Sequence, residues 1–135
     1  MKPETRELLM GYIGTNVAPI LISDDYFNMF LNAVVLPANC ASSELLGYYE
    51  NERFIVPVWY NDLVNDNKEI RKLLIIRNLS SISKDEQLKF YELLKYRKIG
   101  MAPLPDNCVI ILTSQIISKE AINEKIYSLV ACVSD

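Results

Sequence analysis

LLIIRNLSSIS, residues 73–83, is the stretch on which the fold turns. Leucine and isoleucine at 73–76 form an unbroken apolar run, the pattern of a strand buried on both faces of a parallel sheet. With Lys72 they make a strand over 72–76. Arg77 and Asn78 end it in polar groups, and SIS (81–83) leads into a helix. Open α/β sheets place ligands at the carboxyl ends of their strands, so Arg77 and Asn78 stand where chemistry is to be sought.

The segments around this strand alternate between apolar runs and helical spacing. Downstream, SKDEQLKFYELLKYRK (83–98) is the clearest helix. Ser83 followed by Glu86 is a capping box, and Leu88, Tyr91 and Leu94, with Phe90 and Leu93 beside them, supply its apolar stripe. GMAPLPDN (100–107) is turn-rich, and CVIILTS (108–114) is the most apolar strand. ISKEAINEKIYS (117–128) repeats the capping logic with Ser118, Glu120 and Ala121, and LVACVS (129–134) closes the chain as a strand.

Upstream, VPVWYNDLVNDNKEI (56–70) reads as a helix with Pro57 in its first turn and Trp59, Leu63 and Val64 on one face. SSELLGYYENERF (42–54) reads as a polar connection holding an aromatic pair, and AVVLPA (33–38) as a short strand stopped by Pro37. DDYFNMFLNA (24–33) has Phe27, Phe30 and Leu31 at helical spacing, with Asp24 or Asp25 to cap it. VAPILIS (17–23) is a buried strand. Residues 3–13 make a short helix with Pro3 near its start and Leu8, Leu9 and Tyr12 on one side. The pattern predicts a single α/β domain over 1–135, a three-layer sandwich around a mainly parallel five-stranded sheet, with 1–16 as an N-terminal helix and lead-in.

Composition narrows the chemistry. A chain of 135 residues buries roughly two thirds of its unfolded surface. Net charge is -3, and pI about 5.0, so no global field favours nucleic acid. KYRK (95–98), near Lys84 and Lys89, reads as a solvated helix end. The chain has no histidine, which removes Ser-His-Asp and Cys-His catalysis and most transition-metal sites. Cys40, Cys108 and Cys132 are far apart, and with no CxxC pair they point to neither a zinc site nor a disulfide framework. No apolar run approaches the roughly 18–20 residues that span a bilayer, and MKPETRELLM lacks a signal-peptide core. The expected setting is cytoplasmic and reducing.

The order of segments from Val17 to Asp135 resembles the α/β core of an AAA+ ATPase, most closely the MoxR-like branch. APILIS resembles the strand leading into the phosphate loop, and SSELLGYYENERF the connection after the second strand. LLIIRN resembles the Walker B strand, and SKDEQLKFYELLKYRKIGMAPLPDNCVIILTSQ the helix, hairpin and sensor strand that follow. The resemblance implies a P-loop NTPase-like sheet whose five strands, counted from the N-terminus, lie in the order 5-1-4-3-2. The small helical lid that usually follows the fifth strand is not expected, since the chain stops at Asp135.

The departures from that family bear on function. A phosphate loop needs GxxxxGK[ST], whose glycines let backbone N–H groups crowd the phosphates. After APILIS the chain offers SDDYFNMF, without glycine or lysine. The Walker B acidic pair is replaced by Arg77 and Asn78, the sensor asparagine by Gln115, and the arginine finger by Lys125, a point charge without the planar fork. Loss of metal and arginine-finger stabilisation costs about a thousandfold or more in such enzymes.

The expectation is therefore a pseudo-ATPase with no catalytic residue, no cofactor, no metal, and no ATP or magnesium binding. Its degenerate nucleotide cleft comprises Ser23, Asp24, Asp25, Arg77, Asn78, Gln115 and Lys125, with Arg77 paired to Asp24 or Asp25. Glu44, Glu50 and Glu52 read as solvated loop residues, while Tyr48, Tyr49 and Phe54 form a possible partner surface. The implied role is a protein-interaction scaffold or adaptor, its partner an active AAA+ ATPase or a second copy, with no membrane and no expected nucleic acid. The alternatives are a DNA replication or recombination factor resembling an inactive clamp-loader subunit, and a small-molecule binder or enzyme of an unrelated α/β type.

Overall fold

The computed structural model describes residues 1–65 and 71–135. Helix α1 (Pro3–Thr15) leads to β1 (Ile20–Ser23), a 3-10 segment (Asp24–Met29) and β2 (Val34–Pro37). A short helix α2 (Ser42–Leu46), a hairpin of β3 (Tyr48–Glu50) and β4 (Arg53–Ile55), and α3 (Val58–Asn65) follow. Strand β5 (Lys72–Arg77) runs through a 3-10 turn (Leu79–Ser81) into α4 (Lys84–Gln87) and α5 (Tyr91–Tyr96). A two-stranded turn of β6 (Lys98–Ile99) and β7 (Ala102–Pro103) precedes β8 (Cys108–Ser114), α6 (Glu124–Tyr127) and β9 (Ala131–Cys132). No helix among the described residues is long and apolar enough to cross a membrane.

Five strands form one sheet in the order β2-β5-β8-β1-β9, and every pairing in it is parallel. All seven residues of β8 are buried. Alternation divides the sheet's side chains into two cores. Leu21, Leu74, Ile76, Ile110 and Leu112 face the side covered by α2 to α6, against Leu45, Trp59, Phe90, Leu93 and Ile126. Ile20, Ile22, Ile75, Val109 and Ile111 face the other side, under Leu9 and Ile13 of α1 and the rings of Tyr26, Phe27 and Phe30. The result is the expected α/β sandwich, with one long helix and a 3-10 segment forming the thinner layer.

Several local expectations are corrected. The first strand begins at Ile20 rather than Val17: Val17 is exposed, and Pro19 brings no N–H to the ladder. Residues 24–29 form a 3-10 turn rather than a helix reaching 33, and Leu31 is exposed. Its cap is Ser23, whose hydroxyl accepts from the Asp25 N–H at 3.2 Å. In α1 the buried face is Thr5, Leu9 and Ile13, while Leu8 stands half out in solvent. The segment 42–54 is not a loose connection. It is the short helix α2 followed by a hairpin whose turn residues Asn51 and Glu52 both take positive φ, as a type I′ turn requires. Gly47 enters that hairpin at φ 76°, where an added Cβ would lie 2.3 Å from the Ile55 carbonyl. Helix α3 is described only to Asn65; the predicted helical residues 66–70 lie outside the described residues.

The helical segment after β5 keeps its Ser83 cap, accepting from the Glu86 N–H at 3.2 Å, but passes through a 3-10 turn at Leu88–Phe90. Leu88 is exposed, and the inward stripe is Gln87, Phe90, Leu93 and Leu94. The segment 117–128 is helical only over Glu124–Tyr127, capped by Asn123 rather than Ser118. Gln87 explains why this segment needs no longer helix. Fully buried, it donates from Nε2 to the carbonyls of Leu79, Ile82 and Ala121 at 3.3, 3.3 and 2.8 Å, and its Oε1 accepts from the Asn123 N–H at 2.7 Å. One side chain thus satisfies irregular backbone on both sides of the α4 helix. Replacing it by leucine strands those groups in an apolar interior, so Gln87→Leu should destabilise the domain by about 2–4 kcal/mol in urea unfolding.

Candidate functional site

The three central strands end together, Ser23 beside Ser114 and Ile76 beside Leu112. Because Ser23 caps the turn after β1, Asp24 is held back over these ends instead of projecting outward. Its Oδ1 accepts from the Thr113 hydroxyl at 2.7 Å and from Arg77 Nε at 3.4 Å. Thr113 Oγ1 in turn accepts from the Asn78 N–H at 3.0 Å. Asn78 adopts the left-handed conformation, φ 62° and ψ 61°, which turns the chain sharply from the end of β5 into the 3-10 turn at 79–81. The chain Arg77–Asp24–Thr113–Asn78 therefore ties β1, β8 and the exit of β5 into one network.

The Arg77 guanidinium also lies 3.8 Å from the centroid of the Phe27 ring, a cation–π contact with the same 3-10 segment. Its side chain is 47% exposed, against 14% for Asp24. Solvent screens such an ion pair to at most about 1 kcal/mol. The bond from Thr113 is different: Thr113 is fully buried, and its hydroxyl meets a carboxylate. Hydrogen bonds to charged groups contribute about 1.5–3 kcal/mol, so Thr113 dominates the network.

Of the residues expected in the cleft, Ser23, Asp24, Arg77 and Asn78 converge. Asp25 is exposed and contributes its backbone N–H to the Ser23 cap. Gln115, just past β8, and Lys125, on α6, are exposed, and among the described residues neither side chain joins the network. Thr113 was expected at the strand ends but not as the partner of Asp24, and Phe27 was not expected in the site. The signal for Thr113 was its polar character at the end of an otherwise apolar buried strand. The Phe27 role depends on the 3-10 geometry and had no local signal.

The 3-10 segment is also fastened at its far side. The Tyr26 hydroxyl donates to the Asp135 carboxylate, which accepts as well from the Lys2 N–H at 2.9 Å. The Tyr26 bond, then that of Lys2, holds the Asp135 carboxyl well below the usual carboxylate range. In the basic stretch 95–98, Lys95 and Lys98 are exposed and Arg97 is engaged with backbone. Arg97 donates to the carbonyls of Cys108 and Pro105 at 2.6 and 3.3 Å, Lys89 to that of Cys40 at 2.6 Å, and Lys84 to that of Lys119 at 3.4 Å.

Tyr48, Tyr49 and Phe54 divide between the two faces of the hairpin. Tyr49 pairs with Phe54, ring centroids 5.4 Å apart, and is 76% exposed. Tyr48 lies opposite Ile55, and both line a groove of about 760 Å³ beside β2. Among the described residues no group of three or more histidine, cysteine or acidic side chains could hold a metal ion.

No protein-family model matches the chain, and no curated protein matches it either. Its functional reading therefore rests on the geometry above.

Two outcomes check that geometry. Thr113→Val should cost about 1–3 kcal/mol in urea unfolding, and Arg77→Ala no more than about 1 kcal/mol; the reverse order would show that the ion pair, not the buried hydroxyl, organises the site. Burial pushes the Cys108 thiol up to about 11 and the Cys40 thiol in the same direction, while Cys132 is exposed. In the native protein at pH 8 a disulfide reagent should label Cys132 promptly and the other two cysteines only after unfolding.

Proposed function

We propose that this chain is a catalytically inactive, AAA+-like α/β domain that works through protein–protein contact as a scaffold or adaptor subunit. The observation that carries the reading is the Asp24 carboxylate, held over the ends of the central strands by Thr113 and Arg77. The resemblance to the AAA+ core places a triphosphate and its magnesium at this point. There a nucleotide needs glycine N–H groups and a lysine, and meets instead a fixed negative charge and an arginine already paired to it. The strand order β2-β5-β8-β1-β9 and the helix, turn and strand over 83–114 support the same relationship.

The partner on this reading is an active AAA+ ATPase or a second copy of the chain. Of the basic residues on which the DNA-factor alternative rests, Arg97 is engaged with backbone carbonyls while Lys95 and Lys98 are exposed, and the acidic net charge weighs against that alternative. The small-molecule alternative draws little support from the large groove, which runs along the β2 edge to Pro37 and not over the ends of the central strands. Titration with Mg·ATP should produce neither heat in calorimetry nor a shift in melting temperature. A micromolar affinity would refute the closed cleft. An adaptor should also leave its own cell in a complex; a tagged full-length chain recovered alone and monomeric would refute that role.

A further inference from the structure

β2 is the edge of the sheet on the side of the hairpin. Its backbone is open in a specific way. The Ala38 N–H donates to the Arg77 carbonyl at 2.9 Å, with Pro37 opposite Arg77 in register. Peptide groups alternate along a strand, so those of Val34 and Leu36 turn towards β5, and those of Val35 and Pro37 turn outward. Pro37 has no N–H, and its carbonyl accepts from the Cys40 N–H at 3.0 Å. The outward pair left on the edge is the N–H and C=O of Val35.

The 760 Å³ groove runs along this same edge, over residues 33–37. Its far wall is Tyr48 and Ile55 of the hairpin with Val58 and Trp59 of α3. Val35, Tyr48 and Val58 are 40%, 51% and 76% exposed, so the trough presents apolar surface to solvent. Its charged lining residues are both acidic, Glu44 and Asp62, and among the described residues neither forms an ion pair. A strand edge, an apolar trough and two carboxylates together favour one kind of occupant.

We propose that the groove along β2 receives an extended segment of a partner protein, which adds to the sheet edge opposite Val35. The segment carries apolar residues at alternate positions and a lysine or arginine that reaches Glu44 and Asp62. Pairing along an edge supplies backbone hydrogen bonds, and pockets for alternate side chains supply selectivity. Pro37 limits the pairing to the one pair of bonds at Val35, which guards the edge against indiscriminate strand addition. Most of the discrimination therefore falls to the apolar wall and the two carboxylates. The inference rests on the adaptor reading and gives it a surface.

The test is selection of a displayed random-peptide library on the intact chain, followed by affinity measurement and amide-shift mapping with the enriched peptides. Enriched peptides should alternate apolar residues with a lysine or arginine and shift amides within 33–37 and 55–62. Val35→Pro removes the outward N–H without touching a bond to β5, and should weaken binding by about tenfold or more. Glu44→Lys with Asp62→Lys should do the same, and serves alone where the proline variant fails to fold. Arg77→Ala should leave binding unchanged. Failure to enrich any peptide, enrichment of acidic ones, or shifts confined to another face would overturn the groove while leaving the adaptor reading standing. Self-association lost in Val35→Pro would make a second copy the occupant and overturn the partner segment. Mg·ATP binding at the strand ends would instead overturn the adaptor reading.

Discussion

Every residue of β8 is buried, and the strand is paired on both sides, with β5 and β1. Such a strand has no solvent-facing side, so any polar group it carries must find its partner within the protein. Thr113 and Ser114 are such groups: the Ser114 hydroxyl donates to the Ile116 carbonyl at 2.7 Å, while the place of Thr113 near the carboxyl end draws its partners from the neighbouring strands. Asp24 arrives from the end of β1 and the Asn78 N–H from the exit of β5. Both neighbouring connections meet this demand. The turn at 24–29 is tight because Ser23 caps it with Asp24 facing inward, and the left-handed Asn78 turns the chain from β5 into the 3-10 turn that follows while its N–H bonds Thr113.

The same demand bears on the functional reading. A cleft at strand ends is open to a ligand when its polar groups await a partner, and here three of them satisfy one another. Arg77, stacked on Phe27 and reaching Asp24, covers the network from outside. Its exposed position makes it a lid of small energetic weight, while the buried hydroxyl–carboxylate bond beneath carries the organisation. Turning Asp24 into solvent would lose the buried bond and uncover the polar end of β8.

The two edges of the sheet are finished differently from its centre. β9 is brief, held to β1 by the Ala131 and Val133 N–H groups donating to Pro19 and Leu21 at 2.8 and 2.9 Å. β2 is guarded by Pro37 but keeps Val35 open beside an apolar trough. Centre and edge thus differ: at the strand ends Asp24, Thr113 and the Asn78 N–H satisfy one another while the buried Asn78 Oδ1 has no hydrogen-bond partner among the described residues, whereas the β2 edge leaves both backbone and apolar surface uncovered.

The apolar runs at 73–76 and 108–112 were legible as buried strands because a strand covered on both faces is apolar at nearly every position, and that is a property of composition alone. Alternation with helical spacing made the α/β layering legible for the same reason, and the charge change at Arg77 and Asn78 marked the end of a strand without reference to any neighbour. The lengths of the connecting elements were not legible. Whether 117–128 forms a full helix depends on Gln87, thirty-six residues from its partner Asn123, satisfying backbone that a helix would otherwise satisfy. The pairing of Asp24 rather than Asp25 with Arg77 depends on the Ser23 cap and on Thr113, eighty-nine residues from Asp24. The hairpin that walls the groove arises where a polar, aromatic stretch gave no strand alternation of its own. Local sequence determines which segments must be buried; which polar groups meet there is decided only when parallel strands bring distant carboxyl ends to one edge, because a hydrogen bond requires both of its partners in place.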